Sequence, residues 1–140
     1  MITLHIAKWL EQAGFGTLDE DIFWEDMPID GIGKPKDGLW VVPRGSPSVS
    51  RFTTTQSFDI YSRYADKITG SAKLEDIYEY LKEVYGDVCI LPEVPPYSSR
   101  EYYNVRLRPT AAISNVGNDA QDKVVRVISA EIQYNINKED

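Results

Sequence analysis

Two segments of the chain carry apolar residues at helical spacing. Near the N-terminus these residues recur at i, i+4, i+7, i+8 and i+11, which predicts a short amphipathic helix with the apolar positions Ile2, Ile6, Trp9, Leu10 and Ala13. Gly14 and Gly16 follow, and glycine commonly ends helices because it accepts left-handed backbone conformations. A second helix is predicted over residues 71–85, with Ser71 as its N-cap and Gly86 at its end. Its buried stripe would contain Leu74, Ile77, Tyr78, Leu81 and Tyr85.

Other segments alternate apolar and polar residues, a pattern that predicts β-strands. The longest covers residues 52–64, where one face would hold Phe52, Thr54, Gln56, Phe58, Ile60, Ser62 and Tyr64. Residues 102–114 and 124–136 alternate in the same way, and the polar segment 115–123 between them predicts a hairpin. Three shorter apolar runs are also predicted to be strands: residues 21–28, 38–43 and 88–92.

Elements in this order predict an α+β fold: a mixed, mostly antiparallel sheet with two helices packed on one face, in a single domain over residues 1–140. The strand 52–64, the second helix and the strand 88–92 would form a crossover unit whose two strands lie parallel. The strand 38–43 is expected to stop at Pro43 and to open into a protruding loop. Residues 31–38 are predicted to be a turn, because they lack the spacing of a phosphate-binding loop.

The composition is that of a globular protein, since 42% of the 140 residues are hydrophobic and 26% are charged. No apolar run approaches the roughly 18 residues that a membrane-spanning helix needs. The N-terminal segment does not have the pattern of a signal peptide. The single cysteine, Cys89, lies in an apolar run and is expected to be buried. It cannot form an intrachain disulfide, which fits a reducing cytoplasm.

The net charge of −7 is concentrated near the N-terminus. Residues 1–32 hold seven acidic residues against Lys8 alone, so that segment carries −6 and the remaining chain only −1. This sign disfavours nonspecific binding to nucleic acid. The acidic run consists of Asp19, Glu20, Asp21, Glu25 and Asp26. Three interpretations stay open for it: a solvated face, a site for a hard cation, or a surface that several copies place around a common opening.

Residues with catalytic or metal-binding chemistry are few. His5 is the only histidine, so no second imidazole can share a metal with it. A Ser-His-Asp arrangement through His5 stays open, but no serine lies in a sequence that resembles a nucleophile turn. We therefore predict no catalytic residue, no metal site and no cofactor, and we do not expect an enzyme.

Two further groups of residues are candidates for a contact surface. The first is the loop after Pro43, with Arg44, Gly45, Ser46, Pro47 and Arg51. Exposed loops on a rigid sheet often carry binding residues. The second combines aromatic and basic side chains: Arg100, Tyr102, Arg106 and Arg108. Such groups are typical of protein interfaces and of single-stranded nucleic acid sites, but they also occur in ordinary sheet packing.

The order of these features resembles the tail terminator proteins of long-tailed bacteriophages, often described as phage minor capsid proteins. The resemblance covers nearly the whole chain and rests on five segments: EQAGFGT (11–17), DIFWEDMP (21–28), GLWVVPRGSPSVSR (38–51), KLEDIYEYLKEV (73–84) and VGNDAQDKVVRVISAEIQYNI (116–136). The resemblance lies in the pattern and the order of these segments and not in particular residues.

The resemblance implies a structural role without catalytic residues. Members of this family form a ring, usually of six subunits, on the head-proximal end of a finished tail tube. The ring stops tube polymerisation and offers the surface that joins the head. The expected partners are other copies of the chain, the tail tube protein and a head completion or connector protein, while DNA passes through without specific recognition. The expected location is the tail or neck of the virion, after assembly in the host cytoplasm.

Two other classes of function remain open from the sequence, and an enzyme that uses His5 or the acidic run ranks third. The chain could be a different neck or tail part, such as a head-tail joining protein or a tube subunit. It could also be a monomeric module that binds a ligand or peptide through its tyrosines.

Overall fold

A computed structural model describes residues 2–24, 37–118 and 122–135. Two helices and five strands follow one another in this part of the chain: α1 (Ile2–Gln12), β1 (Ile22–Trp24), β2 (Gly38–Val49), β3 (Thr54–Tyr64), α2 (Lys67–Val84), β4 (Tyr103–Asn118) and β5 (Val124–Asn135). The strands form one sheet in the order β1-β2-β3-β5-β4. Only β1 and β2 run parallel, and the other neighbours are antiparallel. The predicted α+β class with a mixed, mostly antiparallel sheet is therefore confirmed.

The core lies between the helices and one face of the sheet. α1 packs on β1 and β2, whereas α2 packs on β3, β4 and β5. The alternation in β3 and β5 places Phe58, Ile60, Ile128, Ala130 and Ile132 in this core, together with the apolar stripes of both helices. Tyr80 of α2 stacks on Trp9 of α1 at 5.1 Å between ring centroids, so the two helices also contact each other.

Both helices differ from the sequence prediction at their ends. Ala13 lies beyond α1 in an exposed turn, where Gly14 has a φ of 93°. α2 begins four residues earlier than Ser71, at Lys67, and its N-cap is Asp66. Gly70 lies inside the helix at a point where β3 is too close for a side chain. A Cβ there would lie 2.6 Å from Ser62 Oγ. The predicted stripe is buried at Leu74, Ile77 and Leu81, half-buried at Tyr78 and exposed at Tyr85.

The predicted crossover unit is wrong. Residues 88–92 do not form a strand and make only one antiparallel bridge, between Cys89 and Val105. After α2 the chain continues into β4, which pairs with β5 rather than with β3. Cys89 is half-buried rather than buried. The predicted turn at 31–38 and the end of the predicted strand 21–28 lie almost entirely outside the described residues.

Candidate functional site

The segment predicted as a loop after Pro43 is the outer arm of a long hairpin. β2 continues to Val49 and pairs with β3 as far as Val49↔Thr54. The strand prediction that ended at Pro43 is therefore wrong, although the exposure of the segment is confirmed: Pro43 through Phe52 are all exposed. Proline is tolerated here because, among the described residues, β1 pairs with Leu39–Val41 alone and no other strand pairs with the outer side of the arm.

A bulge shapes this arm. The register between β2 and β3 shifts between Arg44 and Ser48, and Gly45 has a φ of 71°. The buried side chain of Gln56 stabilises the bulge, because its amide donates to the carbonyl oxygens of Arg44 and Gly45 at 3.4 and 3.2 Å. The predicted loop residues Gly45, Ser46 and Pro47 thus lie in the bulged part of a strand.

The tip of the hairpin exposes apolar side chains. Val49 is 73% exposed and Phe52 is 59% exposed. The guanidinium of Arg51 lies 5.1 Å from the centroid of the Phe52 ring, within the range of a cation–π contact. Ser50 and Thr53 close the turn through a hydroxyl–hydroxyl contact of 2.8 Å. We call Val49, Arg51 and Phe52 the hairpin tip.

The acidic run forms a separate feature, the acidic turn, with Asp19 and Glu20 exposed. Asp21 belongs to the structure of the turn instead, because its carboxylate accepts the Thr17 N–H at 2.5 Å. Glu25 and Asp26 lie outside the described residues. Among the residues that the structure does describe, no group of three or more His, Cys, Asp and Glu side chains is arranged to hold a metal ion.

The acidic turn and the hairpin tip lie at opposite ends of β2. The Leu39 N–H at the start of β2 donates to the Asp21 carbonyl at 2.8 Å, whereas the tip follows the last residues of the strand. Ten residues of extended chain separate these points by roughly 30 Å. Within the described residues, exposed carboxylates therefore lie near the start of β2, and apolar side chains with one cation, Arg51, lie just beyond its end.

The four aromatic and basic residues do not form one surface. Tyr102 is half-buried, in edge contact with His5 at 5.0 Å and with Tyr134 at 4.9 Å between ring centroids. Arg100 and Tyr102 line one groove, while Arg106 and Arg108 line another. Arg106 donates to the Gly86 carbonyl, and Arg108 pairs with Glu131 at 2.6 Å. Arg100, Arg106 and Arg108 are exposed, but the sequence could not show that Arg106 and Arg108 have partners within the same chain.

On the helix-free face of the sheet, the region around Asp59 is polar and internally paired. Ser129 donates to Asp59 at 2.7 Å, and Arg44 lies 3.7 Å from the same carboxylate. Arg44 is thereby held over the sheet rather than at the tip. At the acidic end of β2, the buried Arg63 lies 3.7 Å from Asp37, which also pairs with Lys123 at 3.0 Å. Nothing in the sequence pattern predicted this buried arginine.

An exposed apolar groove lies beside β4, and the sequence analysis missed it. Residues 88–93 and 100–104 enclose a volume of about 460 Å³. Val88 is 53% exposed and Ile90 is 85% exposed. The apolar run that predicted a core strand is therefore partly a surface patch. Cys89 in this groove is a poor nucleophile, because burial and the Asp87 carboxylate raise the pKa of its thiol.

His5 is fully buried and serves to connect two segments. Its Nδ1 lies 2.8 Å from the Pro92 carbonyl oxygen and its Nε2 lies 2.8 Å from Ser98 Oγ. A carbonyl only accepts, so Nδ1 carries a proton; in the neutral ring, Nε2 accepts from the Ser98 hydroxyl. The third member of this arrangement is a backbone carbonyl and not the aspartate of a Ser-His-Asp triad.

Three partly buried tyrosines, Tyr64, Tyr102 and Tyr134, stay neutral at physiological pH. Burial raises the pKa of Tyr64 to about 12, and the carboxylates of Asp21 and Asp37 add to the shift. Burial also raises the pKa of Tyr102 and Tyr134. These hydroxyls therefore act as hydrogen-bonding groups and not as anions.

The sequence matches no model of a known protein family, and no curated protein matches it either. The resemblance to tail terminators thus stays a hypothesis. Neither α1 nor α2 is long and apolar enough to cross a bilayer, and the described ranges contain no other helix.

Proposed function

We propose that the chain is a structural subunit that closes into a ring and caps the head-proximal end of a phage tail tube. In this proposal the ring, with six subunits as the expected number, ends tube polymerisation and offers a surface to a head completion or connector protein. The subunit acts in the tail or neck of the virion and lets DNA pass without recognising it. It needs no cofactor for this role.

The observation that carries this proposal is the difference between the two ends of β2. A ring around passing DNA places part of each subunit against another protein and part toward the opening, so the subunit needs surfaces of different character. The hairpin tip exposes apolar side chains and Arg51 at one end, and the acidic turn exposes two carboxylates at the other. Exposed apolar groups of this kind are typical of surfaces that another protein covers.

The alternative of a monomeric tyrosine-based module has less support. Tyr102 is engaged by His5 and Tyr134 inside the chain, so its ring is not a free stacking platform. A tube subunit remains the nearest competitor, because it would also use an exposed hairpin. The two differ in their products: a terminator stops at a closed ring, whereas a tube subunit polymerises without a fixed length.

The test compares tip and control variants in a tube-capping assay. Val49→Ser/Phe52→Ser removes the apolar groups of the tip. The control Ile68→Ser/Val116→Ser makes the same chemical change at nearly the same exposures: 73% and 55% against 73% and 59%. Each protein is mixed with a tail tube protein from the same genome, and tube lengths are measured by negative-stain electron microscopy.

We expect the wild type and the control to form closed rings by native mass spectrometry and to shorten the tubes. The tip variant should remain folded but lose both properties. Open-ended polymers of the chain alone would favour the tube subunit. Wild-type protein that neither forms rings nor changes tube length would contradict the proposal.

A further inference from the structure

We infer that the hairpin tip of one subunit binds in the apolar groove of a neighbouring copy, and that this contact joins the subunits. The inference rests on the proposed ring and names the surfaces that would form it. It uses two features that are exposed within the described residues: the tip around Val49 and Phe52, and the groove lined by Val88, Ile90, Leu91, Glu93, Glu101 and Tyr102.

The groove has the chemistry of a protein contact. Its volume of about 460 Å³ has room for a few side chains. Ile90 is the most exposed large apolar residue of the described chain at 85%, and Val88 beside it is 53% exposed. Water contact with such a patch is unfavourable, and a covering apolar surface would remove it.

A second copy of the chain is the occupant that fits best. The tip brings two apolar side chains and one cation, Arg51, and the groove offers apolar walls with two carboxylates, Glu93 and Glu101. Arg100 also lines the groove, so its lining keeps a net negative charge. Complementary charge of this kind selects register between partners more than it adds affinity.

The tip and the groove of one subunit lie on opposite sides of β5. Thr54 next to the tip pairs with Tyr134 on one edge of β5, and Tyr103 at the groove pairs with Asn135 on the other edge. Both lie at the same end of the sheet, because Tyr134 and Asn135 are consecutive residues of β5. Since the contact joins two unlike surfaces, each subunit gives one tip and receives one, as a ring requires.

Site-directed disulfide formation tests this contact. In a Cys89→Ser background, one chain carries Val49→Cys and a second carries Ile90→Cys. The two are mixed and oxidised with copper phenanthroline at several protein concentrations. The matched control replaces Val49→Cys with Ile68→Cys, a position that is equally exposed at 73%. A chain with both Val49→Cys and Ile90→Cys is oxidised in parallel.

We expect the tip–groove pair to form dimers at least tenfold faster than the control pair. The chain with both cysteines should give a ladder of cross-linked species that ends at the ring number. Arg51→Glu should slow the reaction at least threefold, and adding Glu93→Arg on the partner chain should restore it. Equal rates for the two pairs, or only an internal disulfide in the double-cysteine chain, would overturn the inference.

Native mass spectrometry of the same samples separates this inference from the proposed function. Closed rings without preferential tip–groove cross-links would refute the contact and leave the ring proposal intact. A chain that stays monomeric with and without the tail tube protein, and forms no preferential cross-link, would refute both.

Discussion

His5 joins two parts of the chain that the sequence separates by almost ninety residues. It is completely buried in α1, and both ring nitrogens contact the segment 92–98. Pro92 and Glu93 at the start of this segment line the groove, so His5 connects that part of the groove to the first helix. A buried polar ring with both nitrogens satisfied is stabilising, whereas its removal leaves a cavity and unpaired polar groups.

The first prediction concerns this link. His5→Ala should lower the free energy of unfolding by about 2–4 kcal/mol, because a buried ring is lost and the Pro92 carbonyl is left without a donor. Ser98→Ala should cost less, about 1–2 kcal/mol, because it removes the Nε2 contact and the hydrogen bond from the Arg100 N–H but keeps the buried ring. Urea unfolding measures both changes. The exposed neighbour serves as the control: Ser99→Ala should stay within about 0.5 kcal/mol of the wild type. Equal stability of all three variants would contradict a structural role for His5.

At the scale of elements, the start of α2 shows where local sequence signals conflict. Ser71 looks like an N-cap because Gly70 before it disfavours a helix. The structure instead begins α2 after Asp66, whose carboxylate accepts the N–H groups of Ile68 and Thr69 at 2.9 and 2.7 Å. Gly70 is retained inside the helix because β3 leaves no space for a Cβ. A tertiary contact therefore decides the boundary.

The second prediction tests which residue, Asp66 or Ser71, is the N-cap of α2. Asp66→Ala should lower the melting temperature clearly at pH 7, whereas Ser71→Ala should not lower it. Hydrogen bonds from Thr69 hold the pKa of Asp66 below its usual value of 3.8, so folding favours the carboxylate. Its contribution is present at neutral pH and is lost as the pH falls through the lowered value. The difference between wild type and Asp66→Ala should thus shrink in melts recorded near pH 2.5.

Asp66→Asn is the control for that pH dependence, because asparagine also caps helices but does not titrate. Its stability should exceed that of Asp66→Ala at both pH values. A large loss of stability in Ser71→Ala, with none in Asp66→Ala, would show that the helix starts where the sequence alone suggested.

The sequence predicted the elements whose patterns are strong and missed those set by tertiary contacts. β3 and β5 alternate over most of their length, and both helices have clear apolar stripes. The outer arm of β2 contains Pro43, Gly45 and Pro47, which weaken any strand signal, while the Gln56 side chain that supports its bulge lies on the next strand. The run 88–92 was misjudged because an apolar run looks the same whether it is buried or exposed as a contact surface.

The candidate surfaces also include some that the sequence predicted and some that only the fold shows. Exposure of the segment 44–51 and the acidic character of the turn at 19–21 follow from composition and were predicted. The groove requires residues 88–93 and 100–104 to lie side by side, and only the fold shows this. The same holds for the ion pair between the buried Arg63 and the exposed Asp37.

For the whole molecule, the two ends of β2 should have separable roles. The basic and apolar end carries the tip that we assign to the subunit contact. The acidic turn lies roughly 30 Å away along the strand, so it is free to face a common opening. Carboxylates from all subunits would converge there and repel passing DNA, since fields of like charges add.

The last prediction tests whether the acidic turn faces that opening. Asp19→Lys/Glu20→Lys reverses two exposed charges and keeps Asp21, whose carboxylate supports the turn. The control Glu75→Lys/Asp76→Lys makes the same change in charge on exposed positions of α2.

If the turns converge in the ring, the first variant should bind a short DNA duplex at least tenfold more tightly than the control at low salt, because many cations meet the same phosphates. Its affinity should also fall more steeply with salt, since more counterions are released. Fluorescence anisotropy of the labelled duplex measures both quantities, with native mass spectrometry confirming that each variant still forms rings. Equal affinities and equal salt slopes would mean that the acidic turns lie apart on the outside of the ring.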